Sequence, residues 1–209
     1  MQPVDESGIR QYSNLMAEIK RRSRVIHALM SGSNSTVYLP TTIETIGLQF
    51  RKIFELIAFA SLSANKKLYA ATYADFAKHW QASKLINNLK RINPAGFYPI
   101  PITITPSLKP NVKSEFSRKT KGFLTPDELI LAHGRCGKLM HANNPYGQEI
   151  DYEFYNRGFS DWFSKIVGLL NAHQVSLAED TAGVFWLVQI NDFSTDDVSY
   201  NLFSRVPGA

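Results

Sequence analysis

The chain contains a single cysteine, Cys136, so no intrachain disulfide framework can brace it. The expectation that follows is a reducing, cytoplasmic setting. No run of about eighteen apolar residues occurs, which excludes a bilayer-spanning helix. The first residues, MQPVDESG, lack the basic start and apolar stretch of a secretory signal. There is no internal repeat, no Walker-type phosphate loop, no dinucleotide fingerprint and no His-Glu-x-x-His helix. The acidic residues near Asp180 and at Asp192, Asp196 and Asp197 do not have calcium-loop spacing and read as turn residues. No metal or other cofactor is expected.

What the sequence does have is apolar content. Of 209 residues, 44% are hydrophobic, enough for a packed core. The net charge of +5 and pI of ≈ 9.3 permit an acidic partner such as nucleic acid without requiring one.

Apolar spacing predicts a first helix over residues 9–30, with Tyr12, Leu15, Ile19, Ile26 and Leu29 on its inner face. Lys20, Arg21, Arg22 and Arg24 form a basic cluster on it, either a solvated face or a place to contact phosphates. Residues 42–63 are apolar on two sides, through Ile46, Phe50, Ile53, Phe54 and Ile57 and through Leu48, Phe59 and Leu62, which predicts a central helix. Inside it, Arg51 and Glu55 stand four residues apart and can pair. A short helical piece at 69–74 and a helix from Asp75 to about Leu89, with Phe76, Trp80, Leu85, Ile86 and Leu89 inward, follow. Pro94, Pro99, Pro101, Pro106 and Pro110 then forbid a regular helix, and residues 93–123 read as an extended, ordered connection. Lys109, Lys113, Arg118, Lys119 and Lys121 come next on an expected loop, with Lys119 and Lys121 as candidate nucleic-acid contacts.

The clearest local signal is residues 125–147. Thr125 is a good N-cap, Pro126 suits the first helical position, and Glu128 completes a capping box. The helix is expected to run through Leu129, Ile130, Cys136 and Met140 and to stop at Asn143, Asn144, Pro145 and Gly147. A further helix from Asp151 has a core face of Phe154, Phe159, Trp162, Phe163, Ile166, Leu169 and Leu170. The period switches near His173. Val175 and Leu177, then Val184, Trp186, Val188 and Ile190, then Val198, Tyr200 and Leu202 alternate as short antiparallel strands. The expected fold is mainly α: a bundle of four or more helices over 1–172 with a small C-terminal antiparallel β-sheet over 173–209, α+β overall.

The 125–147 helix carries Arg135 and His141. Arg presents a fixed fork of donors, and His exchanges a proton near neutrality. Together they can hold a phosphodiester and move a proton during its cleavage. In an ideal helix these positions lie about 120° apart, so a shared ligand needs a distorted end or a second subunit. Glu55 either serves a structural pair with Arg51 or orients Arg135 or His141, and Asn144 can add a hydrogen bond near the scissile group. Cys136 with His133 or His141 suggests a nucleophile or zinc only weakly, since the spacing fits no standard site. Gly134 and Gly137 permit close packing or a dimer seam.

An Arg followed after a few residues by a His, late in a small helical domain, resembles the HEPN superfamily, with Cys136 where that family often has a polar residue. The resemblance implies a homodimer, an RNA ligand, an antitoxin or other protein partner, and metal-independent endoribonuclease activity of a toxin or phage-defence type. The alternative is a non-catalytic interaction protein in which Arg135, Glu55 and His141 form a buried network.

Overall fold

A computed structural model describes residues 6–73, 81–176 and 184–204. Six helices and five strands occur among them, in the order α1 (Glu6–Met30), α2 (Leu39–Ala64), α3 (Lys66–Thr72), α4 (Ala82–Ile92), β1 (Ile100–Pro106), β2 (Ser114–Arg118), α5 (Pro126–Lys138), α6 (Tyr152–Leu170), β3 (Ala172–Ser176), β4 (Val184–Gln189) and β5 (Ser199–Ser204). The fold is mainly helical with a small antiparallel sheet. Asp75, Phe76 and Trp80 of the helix expected from Asp75 lie outside the described residues, as do Leu177 and the expected Asp180–Gly183 turn; the described helix, α4, begins only at Ala82, after an extended Gln81, and runs to Ile92.

α2 is the centre of the bundle because its two apolar faces give it neighbours on several sides. It packs against α1, α4, α5 and α6. Phe50 and Phe54 on α2 interlock with Phe159 and Trp162 on α6, with ring centroids 5.2 to 6.1 Å apart. Offset and edge-on geometries such as these let aromatic quadrupoles attract as well as bury area.

The sheet order is β2-β1-β3-β4-β5, all antiparallel. The proline-rich connection is extended as its composition requires, and it also supplies two strands. β1 pairs with β3 only at Ile100 and Pro101, and with β2 over Ile102–Pro106. Each stretch of β1 is therefore bonded mainly on one side, which is how a strand with two prolines joins a sheet. The sheet thus draws on strands from both sides of residue 172. One face, carrying Val175, Trp186 and Val188, joins the bundle core. The sheet also curls, because Phe116 on edge strand β2 reaches Phe203 on edge strand β5, with centroids 5.5 Å apart.

Two further contacts tie the layers. His173 on β3 and Tyr12 on α1 are fully enclosed, with the Tyr12 hydroxyl 2.8 Å from Nε2. The loop entering α5 crosses α6 so closely that a Cβ on Gly168 would lie 1.9 Å from the Gly122 carbonyl oxygen. Gly168 is the gap that loop occupies. Gly122, at φ +76, takes the left-handed turn that brings the loop there.

Candidate functional site

α5 is built as its first residues predict. The Thr125 side chain accepts from Glu128 N–H (3.3 Å), and Glu128 Oε2 accepts from Thr125 N–H (2.9 Å). The other Glu128 oxygen meets Lys165 Nζ of α6 at 2.9 Å. Burial opposes the charge on Glu128, but the Thr125 N–H and Lys165 together hold its carboxyl below the ordinary range. The capping box is therefore also a bolt between α5 and α6.

At the other end the helix stops two residues short of Met140. Leu139 N–H bonds to Cys136 O (3.1 Å) and Met140 N–H to Gly137 O (3.2 Å), so the last turn tightens to three-residue spacing. Arg135 sits in the last turn, half-buried, with its guanidinium 5.3 Å from the centroid of Phe154 on α6. No carboxylate pairs with it among the described residues. Phe154 was expected in the core but is 41% exposed, because it lies on the outer side of α6 beneath Arg135. The Arg135 carbonyl accepts from the Tyr155 hydroxyl at 3.0 Å, which fixes the α5 backbone here. His141 and Asn144 are exposed beyond the helix end. The Asn144 carboxamide oxygen accepts from Tyr146 N–H at 3.0 Å, a local turn.

Glu55 points elsewhere. It meets Arg51 Nε (3.4 Å), Lys52 Nζ (3.3 Å) and His133 Nε2 (3.3 Å). The Arg51 guanidinium also fills the space over Gly137, where a Cβ would come within 3.0 Å of it. Arg51, Glu55 and His133 thus form a half-buried polar seam between α2 and α5. Burial lowers the His133 pKa, and Arg51 adds to this while Glu55 opposes it. His133, weighed from sequence only as a partner for Cys136, is the histidine Glu55 contacts. Cys136 is fully enclosed and its thiol is pushed up to about 12, mainly by burial. A thiol in that state is not a nucleophile.

The basic cluster of α1 is committed to the chain itself. Lys20 is 0% exposed, and its Nζ donates to the carbonyls of Ile190 (3.0 Å) and Asp197 (2.6 Å). It has no surface to offer a phosphate, which corrects its expected role. Burial lowers its pKa, opposed by Asp192, Asp197 and Asp196 nearby. Arg24 donates to the carbonyls of Phe193 and Thr195 and, at 2.6 Å, to Asp196. Arg21 Nε takes the other Asp196 oxygen at 2.8 Å. These two arginines hold the Asp196 carboxyl below the ordinary range. Arg22 pairs with Glu18 (2.8 Å) and donates to Gln49 Oε1 (2.9 Å). The cluster grips the segment that links β4 to β5. Lys119 Nζ donates to the Gly168 carbonyl near the end of α6 (3.0 Å), while Lys121 is exposed.

Among the described residues, no group of three His, Cys, Asp or Glu side chains could hold a metal ion, and no helix is long and apolar enough to cross a membrane. Comparison of the chain with protein-family models, with curated proteins and with solved structures finds no match.

Proposed function

We propose that the protein binds RNA at the end of α5 and cleaves it without a metal, with Arg135 holding the phosphodiester and His141 transferring a proton. The observation that carries the reading is the state of Arg135. It is a half-exposed guanidinium with no carboxylate partner among the described residues, lying on an aromatic ring that is itself open to solvent. A cation left uncommitted beside a flat apolar surface suits a phosphate and its attached base. The last turn of α5 departs from ideal helix geometry just before His141, which supports a shared ligand over the separation of about 120° in a regular helix.

In this reaction the 2′-oxygen bonds to phosphorus as the bond from phosphorus to the 5′-oxygen breaks, leaving a cyclic phosphate. A base takes the 2′ proton and an acid gives one to the departing 5′-oxygen. Arg135 neutralises charge that grows on the non-bridging oxygens. His141 serves one proton transfer, and His141 of a second copy supplies the other, so the reading includes a homodimer. Asn144 adds a donor to the phosphate. This chemistry is the one the resemblance to the HEPN superfamily implies, and a toxin with an antitoxin partner is the setting it suggests.

The test is cleavage of end-labelled RNA in excess chelator by the full chain and by the Arg135→Ala and His141→Ala variants. Loss of cleavage by at least ~100-fold in both, with unchanged melting, is expected. Cleavage that persists in both folded variants overturns the assignment.

A second reading is a non-catalytic interaction protein. The buried Arg135–Glu55–His141 network expected for it does not form, because His141 is exposed and Glu55 is bonded to Arg51, Lys52 and His133. What supports this reading is that the Glu55 carboxylate backs neither candidate catalytic residue. An absence of cleavage by the wild-type chain on every RNA supports that reading.

A further inference from the structure

The chain's surplus of positive charge is concentrated in one place. Residues 93–123 hold Lys109, Lys113, Arg118, Lys119 and Lys121 against Glu115 alone, four of the net charge of +5. Glu115 is itself committed, accepting from Ser107 Oγ (3.0 Å) and pairing with Lys109 (3.3 Å). Lys113, Arg118 and Lys121 have no acidic partner among the described residues.

One of these cations shares a sheet face with an aromatic ring. Phe116 stands opposite Ile104 and Arg118 opposite Ile102, so both side chains share the sheet face that carries Ile102. They are two residues apart, about 7 Å along the strand. Lys113 precedes the strand. Phe116 keeps 40% of its surface exposed while meeting Phe203 edge-on. Phe203 in turn stacks on Phe185, with centroids 5.7 Å apart and planes 17° from parallel. Ile102 and Leu187 are buried outside the bundle core. The sheet's curl thus builds a small apolar floor of its own, with an aromatic series at its edge and cations beside it.

We propose that this face of the sheet binds single-stranded nucleic acid, with Phe116 stacking on a base and Arg118 and Lys113 meeting the phosphates on either side. The charge excludes a basic partner, and a part-exposed ring with Arg118 on its face and Lys113 just ahead of the strand, neither paired with a carboxylate among the described residues, suits the alternation of flat base and anionic phosphate along an unpaired strand. In a duplex the bases are stacked on one another and give the ring no face. The site shares only a ligand class with the end of α5; Arg135 and His141 are not part of it.

The test is fluorescence anisotropy with the full chain carrying His141→Ala, so that any RNA stays intact. The probes are labelled oligo-uridine and oligo-thymidine of about twelve nucleotides, and a duplex of the same length. Both single strands are expected to bind, and the duplex at least ~10-fold more weakly. Phe116→Ala is expected to weaken single-strand binding about 10-fold. Phe116→Tyr, which keeps the ring, restores it. Arg118→Ala lowers the slope of log affinity against log salt by about 0.7. Far-ultraviolet circular dichroism and matched melting confirm that the variants fold. The proposal is overturned by equal binding in wild type, Phe116→Ala and Arg118→Ala, by duplex binding as tight as single-strand binding, or by no oligonucleotide binding. It is also overturned if Phe116→Asp merely converts a dimer to a monomer, for then the face receives a second copy. Cleavage is scored separately: a wild-type chain that cuts RNA but is indifferent to Phe116 loses this platform and keeps its nuclease.

Discussion

Acidification should weaken the protein through one histidine. His173 is completely enclosed, with its Nδ1–H donating to the Leu170 carbonyl (2.9 Å) and Nε2 accepting from the Tyr12 hydroxyl (2.8 Å). Burial lowers its pKa from 6.5 to about 4. Once the chain unfolds, the imidazole regains its ordinary value and binds a proton that the folded state refuses. Between those two values the unfolded state holds more protons, so stability falls as pH drops from 6.5 to about 4 and this contribution levels off below. At 1.36 kcal/mol per pH unit, the gap amounts to about 3 kcal/mol, a large part of the 5–15 kcal/mol that holds a typical domain together. Urea unfolding of wild type and His173→Gln, measured from pH 3.5 to 8, isolates the effect, because the other titrating groups are common to both. Wild type should lose about 3 kcal/mol relative to the variant between pH 7 and 4. Two parallel stability curves, or an imidazole resonance that titrates near 6.5 in the folded protein, would refute the reasoning.

Other perturbations follow from the same contacts. Tyr12→Phe strands the buried Nε2 without a donor and should cost about 1–3 kcal/mol at pH 7, read from urea midpoints. Gly168→Ala drives a methyl into the Gly122 carbonyl oxygen; despite alanine's better helix propensity it should lower stability by about 2 kcal/mol, and a higher melting temperature would contradict the close crossing. Thr125→Ala removes the N-cap of α5 and should cost about 1 kcal/mol; hydrogen exchange should quicken first at the amide of Glu128. Lys20→Met leaves the Ile190 and Asp197 carbonyls without their cation and should cost about 1–3 kcal/mol, with faster proteolysis of the segment joining β4 to β5 as the local readout.

Elements whose signal is local were legible residue by residue. The Thr125–Glu128 box is written in four consecutive positions, and a capped helix begins there. The two apolar faces of α2 made it central because burial on two sides leaves few other options. The change of period near His173 marked the start of strands. Less visible were matters of partnership. β1 is not legible because its prolines argue against a strand, although it is paired mainly on one side at a time; β2 is not legible because Ser114–Arg118 holds one apolar residue and shows no alternation. Phe154 fits a helical core stripe by spacing, yet it lies outside, because how α5 lies along α6 decides which edge of that stripe stays covered.

The charges make the same division. Sequence alone established that Lys20, Arg21 and Arg24 cluster on α1 and that Asp192, Asp196 and Asp197 crowd a later turn; it could not pair them across about 170 positions, since chain separation carries no information about distance after folding. Composition, periodicity and capping settled α1, α2, α5, α6 and the strands from Ala172 onward, because those depend on contacts within a few residues. Tertiary packing alone decided that Glu55 meets His133, that a lysine is sealed in the interior, and that Arg135 is left with an aromatic ring and, among the described residues, no carboxylate. Each of those outcomes depends on which surfaces exclude water together, and that is a property of the assembled fold.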